Sequence, residues 1–424
     1  MSMQTNSSTR LQGMIHSHRA LGEITFVTLR QRRDLMQCLL DSNSEIVGAD
    51  QLRDEQAVRI EGIIRDEPRA PGGKECHVRR IEVLSSPAEP RPIHLGKKMQ
   101  GPGLEADLEL RPITLRHQQY RDMFRLQEGL CRGFREYLQQ QEFTEIHSPK
   151  IVSSGAEGGS NIFRLDYFGR KAYLAQSPQF YKQMMVGAYE RVFEAGPVFR
   201  AEKHSTVRHL NEYTSMDFEM GFIDSFEDIM DMEQAMLQYT MKLLSEEYAA
   251  ELARLAVKLP SADNIPRVTF ARAKELVSEK YGRRIRDPFD LEPEEERLIG
   301  ELFREEYDSD FVFVTHYPSK KRPFYAMDDP VDPRYTLSFD LLLRGLEITT
   351  GGQRIHDYEE QKAKMLAKGM DPEDFRDYLM IHKYGMPPHG GLGIGLERLL
   401  MMLTGKSNVR QCVLFPRDQS RLEP

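Results

Sequence analysis

The hydrophobic period of the chain changes between its first 85 residues and Tyr120, and that change limits what it can fold into. Up to about residue 85 the apolar residues alternate, as in Ile24-Thr25-Phe26-Val27-Thr28-Leu29-Arg30, Ala57-Val58-Arg59-Ile60-Glu61-Gly62-Ile63-Ile64 and Val78-Arg79-Arg80-Ile81-Glu82-Val83. Alternation is the period of a half-buried strand. Gly22, the Pro71-Gly72-Gly73 turn and Asp, Asn and Ser clusters separate the runs, so several short strands and a small barrel are predicted. Beyond Tyr120 the spacing becomes three and four: Tyr120, Met123, Phe124, Leu126, Leu130, Phe134, Tyr137 and Leu138. That spacing predicts an amphipathic helix over about 117–141. Between the two regimes, Pro87, Pro90, Pro92, Pro102 and Pro112 limit both ladders and helix, so 87–113 reads as a linker or hinge.

The rest of the chain mixes periods. Glu142 to Ile146 reads as a strand ending before Pro149, about 225–257 as a second helix, and Phe311–Val314 and Ser338 to Ile348 as core strands. Gly391-Leu392-Gly393-Ile394-Gly395 reads as a turn leading into a helix from Leu396 to Leu403. This order predicts an α+β chain, a β-barrel followed by helices outside an antiparallel sheet. Domains are expected at 1–86, with the linker at 87–113, and at 114–424.

Composition narrows the functional class. No apolar run approaches the ~18–20 residues of a membrane helix, and the first twenty residues are polar. Cys38, Cys76, Cys131 and Cys412 lie far apart, without zinc or CxxC spacing. A cytoplasmic protein with reduced thiols is expected. The net charge of −8 argues against a nucleic-acid binder over its whole surface. The first hundred residues carry +2 and the remainder −10, so nucleic acid is met more cheaply at the N-terminal end.

Four constellations carry chemistry. Val198-Phe199-Arg200-Ala201-Glu202-Lys203-His204 with Arg208-His209-Leu210-Asn211-Glu212 runs apolar strand into dense charge, and arginine forks onto phosphate while staying ionised. A surface ion-pair loop would account for the same residues. In Ser338 to Arg354, Asp340 and Glu347 interrupt a nearly continuous apolar stretch. Buried carboxylates are costly unless paired or metal-bound, and with Thr350 they offer magnesium oxygen ligands. An ion pair with Arg344 or Arg354 is the plainer explanation. Gly390-Gly391-Leu392-Gly393-Ile394-Gly395-Leu396-Glu397-Arg398 lets backbone approach a ligand, but lacks the Lys-Ser/Thr of a P-loop; close packing against a sheet explains it equally. Ser153 to Gly159 and Gln176-Ser177-Pro178-Gln179-Phe180-Tyr181-Lys182 are polar loops, and Lys182 would suit a carboxylate or simply solvent.

The order of these signals is more specific than any one of them. Pro149 after a long helix, Phe199-Arg200-Ala201-Glu202 with Arg208-His209, and Gly393-Ile394-Gly395-Leu396-Glu397-Arg398 resemble the three motifs of class II aminoacyl-tRNA synthetases. The barrel resembles the oligonucleotide-binding (OB) fold of the subclass for aspartate, asparagine and lysine. Gln176 to Gln183, Tyr317-Pro318-Ser319, Gly351-Gly352-Gln353-Arg354, Tyr384 to Gly391 and Leu414 to Asp418 resemble aspartyl-tRNA synthetases of the archaeal/eukaryotic type, over nearly the whole chain.

The resemblance implies a five-stranded OB barrel, a class II catalytic domain, a homodimer, ATP and L-aspartate as substrates and Mg2+ as cofactor. It places Arg200 on the α-phosphate, Glu202 at the adenine amino group, and Arg208 and Arg398 on the β- and γ-phosphates. Arg200, Glu347 and Arg398 would carry catalysis. Ala201, His209, Leu210, Gly395, Leu396 and Glu397 complete the ATP site, with Tyr213 where many relatives have phenylalanine. Asp340 and Glu347 would hold magnesium, helped by Thr350, where serine is frequent. Lys182 and Arg354 would take the aspartate carboxylate; Glu157, Gln179, Asp217, Arg200 and Thr350 would close around the rest of the substrate. Two cations aimed at an anion penalise asparagine more than shape alone would.

Arg19, Phe26 and Gln37 occupy the anticodon-reading positions, although core packing alone would explain Phe26. The partners implied are tRNA(Asp) and, if the third anticodon base is read loosely by the loops His16–Leu21 and Glu67–Lys74, tRNA(Asn). His16, Pro68 and Pro71 are compatible with loose reading. Competing readings are an asparaginyl enzyme, a non-catalytic RNA-binding paralogue, and a tRNA-independent asparagine-forming ligase. Joint retention of Arg200, Glu202, Glu347, Arg354 and Arg398 opposes the second reading, and the barrel opposes the third.

Overall fold

The structure is a computed structural model that describes residues 8–95, 103–155, 161–203 and 206–423. The chain divides into two compact units, Met1–Arg121 and Asp122–Pro424.

The first unit carries β1 (Thr9–Leu21), β2 (Ile24–Arg30), β3 (Leu35–Leu40), β4 (Glu45–Val47), β5 (Ala57–Asp66) and β6 (Lys74–Ser85). Antiparallel pairs run β3-β2-β1-β5-β6, and a parallel β3–β6 pairing closes five strands into a barrel, with short β4 added along β6. This is the expected OB barrel. Alternation works as predicted: Val27, Leu29, Val58, Ile60 and Ile81 point into a core with Ile15, Cys38 and Cys76. One correction concerns His16–Leu21, read as a loop: it is the end of strand β1. His16 is buried, with Nδ1 3.3 Å from Arg30 Nη1.

The stretch read as a linker holds two short helices, Leu104–Glu109 and Arg111–Thr114. Arg91 within it joins Arg30 and Arg116 on the buried carboxylate of Glu55, at 3.1, 2.7 and 2.8 Å. Proline excludes long regular elements there but not single turns.

The second unit is built on an eight-stranded sheet. The strands of this unit are β7 (Thr144–Glu145), β8 (Ile151–Val152), β9 (Arg164–Tyr167), β10 (Arg170–Leu174), β11 (Arg191–Phe199), β12 (Glu212–Gly221), β13 (Arg267–Thr269), β14 (Phe311–Thr315), β15 (Ser338–Leu343), β16 (Leu346–Arg354) and β17 (His389–Gly395). The sheet order is β13-β14-β15-β16-β17-β12-β11-β7, antiparallel except at its two edges, while β8-β10-β9 form a separate small sheet.

Helix Gln118–Gln140 forms as its period predicts. A Cβ at Gly133 would meet Thr240 at 2.6 Å, so its glycines let it lie close against helix Glu227–Glu247. The single helix expected over 225–257 is two, Glu227–Glu247 and Ala249–Leu255, broken at Tyr248. The span from Ser338 to Ile348 is a hairpin whose turn, Arg344-Gly345, has φ of 51° and 79°. Both values suit the twist of a tight two-residue hairpin. No helix of the described residues is long and apolar enough to cross a membrane.

Candidate active site

One face of the sheet is the floor of a cavity of about 510 Å³. Alternate residues supply it: Tyr213, Ser215 and Asp217 from β12, Ser338 and Asp340 from β15, Gly393 and Gly395 from β17. The intervening residues Met216, Phe218, Phe339, Leu392 and Ile394 are buried in the core. The strand period thus sorts chemistry to one side and packing to the other.

At one end stand Lys182 and Arg354. Helix Gln179–Tyr189 buries Gln179, Lys182, Gln183 and Val186, one face at helical spacing. Lys182 Nζ donates to Asp217 Oδ1 at 3.0 Å and to the Leu392 carbonyl at 2.8 Å, and lies 3.3 Å from Glu219 Oε2. Arg354 donates through Nε to Glu219 Oε1 at 2.9 Å and through Nη2 to the Gly391 carbonyl at 2.9 Å. Its guanidinium lies 5.3 Å from the Tyr325 ring centroid. Glu219 is fully buried between the two cations. Burial pushes its carboxyl up, but Arg354 and then Lys182 prevail and hold it below the ordinary range. Ser215 Oγ donates to Asp217, which leaves a compact array of two cations and two anions.

The middle and far end hold the phosphate-competent groups. The Arg200 guanidinium lies 5.9 Å from the Tyr213 ring centroid, and Asn211 Nδ2 donates to the Arg200 carbonyl at 2.7 Å. Asn161 Nδ2 donates to Glu202 at 3.2 Å. Arg208 pairs with Glu296 at 2.7 Å, and Arg398 with Glu347 at 3.3 Å. Arg398 lies in the first turn of helix Leu396–Thr404, beside Glu397, which accepts the Thr214 backbone N–H at 3.1 Å. Burial pushes the Glu397 and Glu296 carboxyls up to about 7.

The carboxylates read as metal ligands face this region. Asp340 accepts Arg322 Nη2 at 2.8 Å, and that guanidinium lies 3.9 Å over the Tyr317 ring. Burial pushes Asp340 up to about 6; Arg322 opposes this and Glu347 adds to it. Thr350 Oγ1 donates to Glu347 at 3.3 Å. Their ion pairs are therefore with Arg322 and Arg398, not with Arg344 or Arg354; Arg344 pairs with Asp310. No group of three or more His, Cys, Asp or Glu stands ready for a metal among the described residues. An oxygen-only set of two carboxylates and a hydroxyl suits magnesium, which keeps waters and shares substrate phosphates.

The structure brings together Arg200, Glu202, Arg208, His209, Leu210, Tyr213, Asp217, Gln179, Lys182, Asp340, Glu347, Thr350, Arg354, Gly395, Glu397 and Arg398 around one cavity. Glu157 lies outside the described residues, as does His204. The glycine run needs a correction: it is strand β17 itself, running straight into the helix, rather than a turn. In the barrel, Arg19, Phe26 and Gln37 share an outer face, with Phe26 opposite Arg19 and Leu39, and Gln37 opposite Thr28. Phe26 is half-buried while its neighbour Val27 is in the core, so it is not a core residue.

Sequence reading passed over Glu219, Arg322, Glu296 and Glu233. Asp217 and Glu219 are two apart on an apolar strand, a spacing that puts both on one side, and that signal was available. Glu233 had none: it reaches Thr349 Oγ1 at 2.6 Å from a helix behind the sheet, and burial pushes it up to about 8.

An antiparallel sheet with arginines over one face, in one chain with an OB barrel, is the architecture of the class II synthetases. The chain belongs to that family, as an aminoacyl-tRNA synthetase of the aspartate, lysine and asparagine group: the model described as tRNA synthetases class II (D, K and N) matches residues 103–419. The model of the OB-fold nucleic acid binding domain matches residues 9–84. Among curated relatives, an Aspartate--tRNA(Asp/Asn) ligase of Thermus thermophilus is 48% identical, covering 98% of this chain and 96% of its own. An Aspartate--tRNA(Asp) ligase of Pyrococcus abyssi is 38% identical over the same shares. Among solved structures, asparaginyl-tRNA synthetase from Pyrococcus horikoshii with asparaginyl-adenylate superposes with a TM-score of 0.91 at 31% identity, covering 99% of this chain and 96% of that one.

Proposed function

We propose that the chain is an aspartate–tRNA ligase: it activates L-aspartate with ATP and transfers it to the 3′ end of tRNA(Asp) and of tRNA(Asn). The observation that carries the amino-acid choice is the fixed pair of cations, Lys182 and Arg354, held in place by buried Glu219. A substrate carboxylate arriving there meets two preorganised donors, and asparagine would leave the same charges poorly matched. Asp217 faces the substrate ammonium. The tRNA(Asn) arm rests on the Thermus thermophilus relative and its name.

No enzyme nucleophile is required. The aspartate α-carboxylate oxygen attacks the α-phosphorus of ATP, and pyrophosphate leaves. The terminal ribose hydroxyl of the tRNA then attacks the adenylate carbonyl, and AMP leaves. Arg200 would neutralise the α-phosphate, with Arg208 and Arg398 on the leaving pyrophosphate, so catalysis is positioning and charge stabilisation. Their partners in the structure, Glu296 and Glu347, hold two of these arginines over the floor. Asp340 and Glu347, helped by Thr350, would hold magnesium, which would supply positive charge to the phosphates.

We assign anticodon reading to residues 1–86, through Arg19, Phe26 and Gln37, and catalysis to 114–424. A stacked base on Phe26 would contribute ~1–3 kcal/mol. A homodimer through helix Gln118–Gln140 and Pro149, working in the cytoplasm, completes the reading; a monomeric mass in light scattering would refute the dimer.

The test is ATP–pyrophosphate exchange without tRNA, with aspartate, asparagine and lysine in parallel. Exchange with aspartate alone is expected. Exchange with asparagine alone overturns the specificity, and none with any of them favours a non-catalytic paralogue. Charging of both purified tRNAs then decides the second substrate; a thousandfold deficit with tRNA(Asn) refutes it.

A further inference from the structure

A second cleft, of about 430 Å³, lies outside the cavity and is lined by Tyr281, Arg283, Arg284, Arg286, Glu294 and Leu298. Its basic character runs against the acidic chain around it. Two of its polar atoms are buried without a hydrogen-bond partner, Tyr281 Oη and Arg283 Nε. Buried donors are ordinarily satisfied, so two orphaned ones on residues that line a cleft are open to an external acceptor once those side chains turn outward. Arg283 is anchored, since its Nη2 donates to Glu292 Oε2 at 2.6 Å. Arg284 and Arg286 are exposed and pair with no carboxylate among the described residues. The one acid in the lining, Glu294, is occupied by Arg297 at 2.6 and 3.0 Å.

A hydroxyl, a fixed guanidinium and two movable ones ask for a ligand with several acceptor oxygens and more negative charge than one carboxylate. Phosphate is that ligand. One helix and one loop link the cleft to the catalytic cavity. Helix Pro293–Tyr307 turns Glu296 toward Arg208 and presents Glu294 and Leu298 to the cleft. The loop after Arg286 carries Asp287 and Asp290, both 3.4 Å from Lys321 at the cavity rim.

We propose that this cleft is a phosphate-binding site that grips the RNA backbone of the tRNA acceptor arm as its 3′ end enters the cavity. The choice of RNA rests on the function proposed above; a free phosphate anion is the other source of the same chemistry.

The test uses the full chain with Arg284→Ala/Arg286→Ala, which removes only exposed side chains, and Tyr281→Phe as a second variant. The double variant is expected to bind tRNA at least tenfold more weakly. The slope of log affinity against log salt should become shallower by ~1.4, about 0.7 for each lost phosphate contact. Aspartate-dependent ATP–pyrophosphate exchange should stay within twofold, and Tyr281→Phe should weaken tRNA binding by twofold or more. If tRNA affinity is unchanged but inorganic phosphate raises the melting temperature of wild type and not of the double variant, the occupant is a free phosphate. Unchanged affinity with no phosphate effect overturns the site. Should wild type show no exchange while the tRNA contrast persists, the aspartate reading falls and the cleft stands.

Discussion

Gly391 leaves empty the space that the Glu219 carboxylate fills: a Cβ at 391 would sit 2.2 Å from Glu219 Oε2 and 2.1 Å from the Phe218 carbonyl. The Gly-rich strand therefore has its glycine here for the sake of both the backbone of β12 and a neighbouring side chain. Gly391→Ala should displace Glu219 and with it both Lys182 and Arg354. Aspartate KM in the exchange assay should rise at least tenfold while ATP KM changes under threefold. Equal effects on both would show that the strand as a whole had shifted.

Arg354 uses Nε on Glu219 and Nη2 on the Gly391 carbonyl, a forked geometry that a lysine ammonium does not reproduce. Arg354→Lys keeps the charge and loses the fork. Each lost charged hydrogen bond contributes about 1.5–3 kcal/mol, so aspartate kcat/KM should fall about a hundredfold. A fall under threefold in steady-state kinetics would mean that charge alone suffices.

Much of this site was legible before the structure, and its limits are physical. Period gave the barrel, the helix at Gln118–Gln140 and the hairpin strands, because each buries one regular face. The arginines were legible because charge next to apolar strand is locally unusual. Pairings were not. Asp340 meets Arg322 and Glu347 meets Arg398, and these partners are set by which strands and loops lie adjacent. Glu233 and Glu296 come from helices, where an acidic residue ordinarily marks a solvated face. The break at Tyr248 was hidden because helical spacing continues on both sides of it.

Arg200 emerges from β11 next to Tyr213, with its backbone carbonyl held by Asn211. That position suits a charge that develops on the α-phosphate during adenylate formation. Loss of one such stabilising group costs about 100- to 1,000-fold. Arg200→Ala should slow single-turnover adenylate formation ~100-fold or more, and Arg200→Lys should recover part of it. A change under threefold would place Arg200 away from the phosphate.

His389 offers a pH test that does not depend on substrate. It is fully buried, with Nδ1 2.9 Å from the Pro387 carbonyl and Nε2 2.9 Å from Gln183 Nε2. The carbonyl can only accept, so Nδ1 carries the proton and Nε2 accepts from Gln183. Burial lowers its pKa to about 4, against the partly opposing charge of Glu219. An unfolded chain binds this proton near pH 6.5, and the folded one only near 4. Between those values the unfolded state holds more protons, so stability rises with pH and is lost as pH falls from 6.5 toward 4. Below 4 this group costs nothing further. At about 1.4 kcal/mol per pH unit the full effect is about 3 kcal/mol. Buried His382, also lowered to about 4, acts in the same direction. Urea unfolding of His389→Gln across pH 7 to 4 should therefore show a shallower loss of stability than wild type, by about 3 kcal/mol over the range. Parallel curves for the two proteins would show that His389 accepts its proton in the folded state as readily as in the unfolded one.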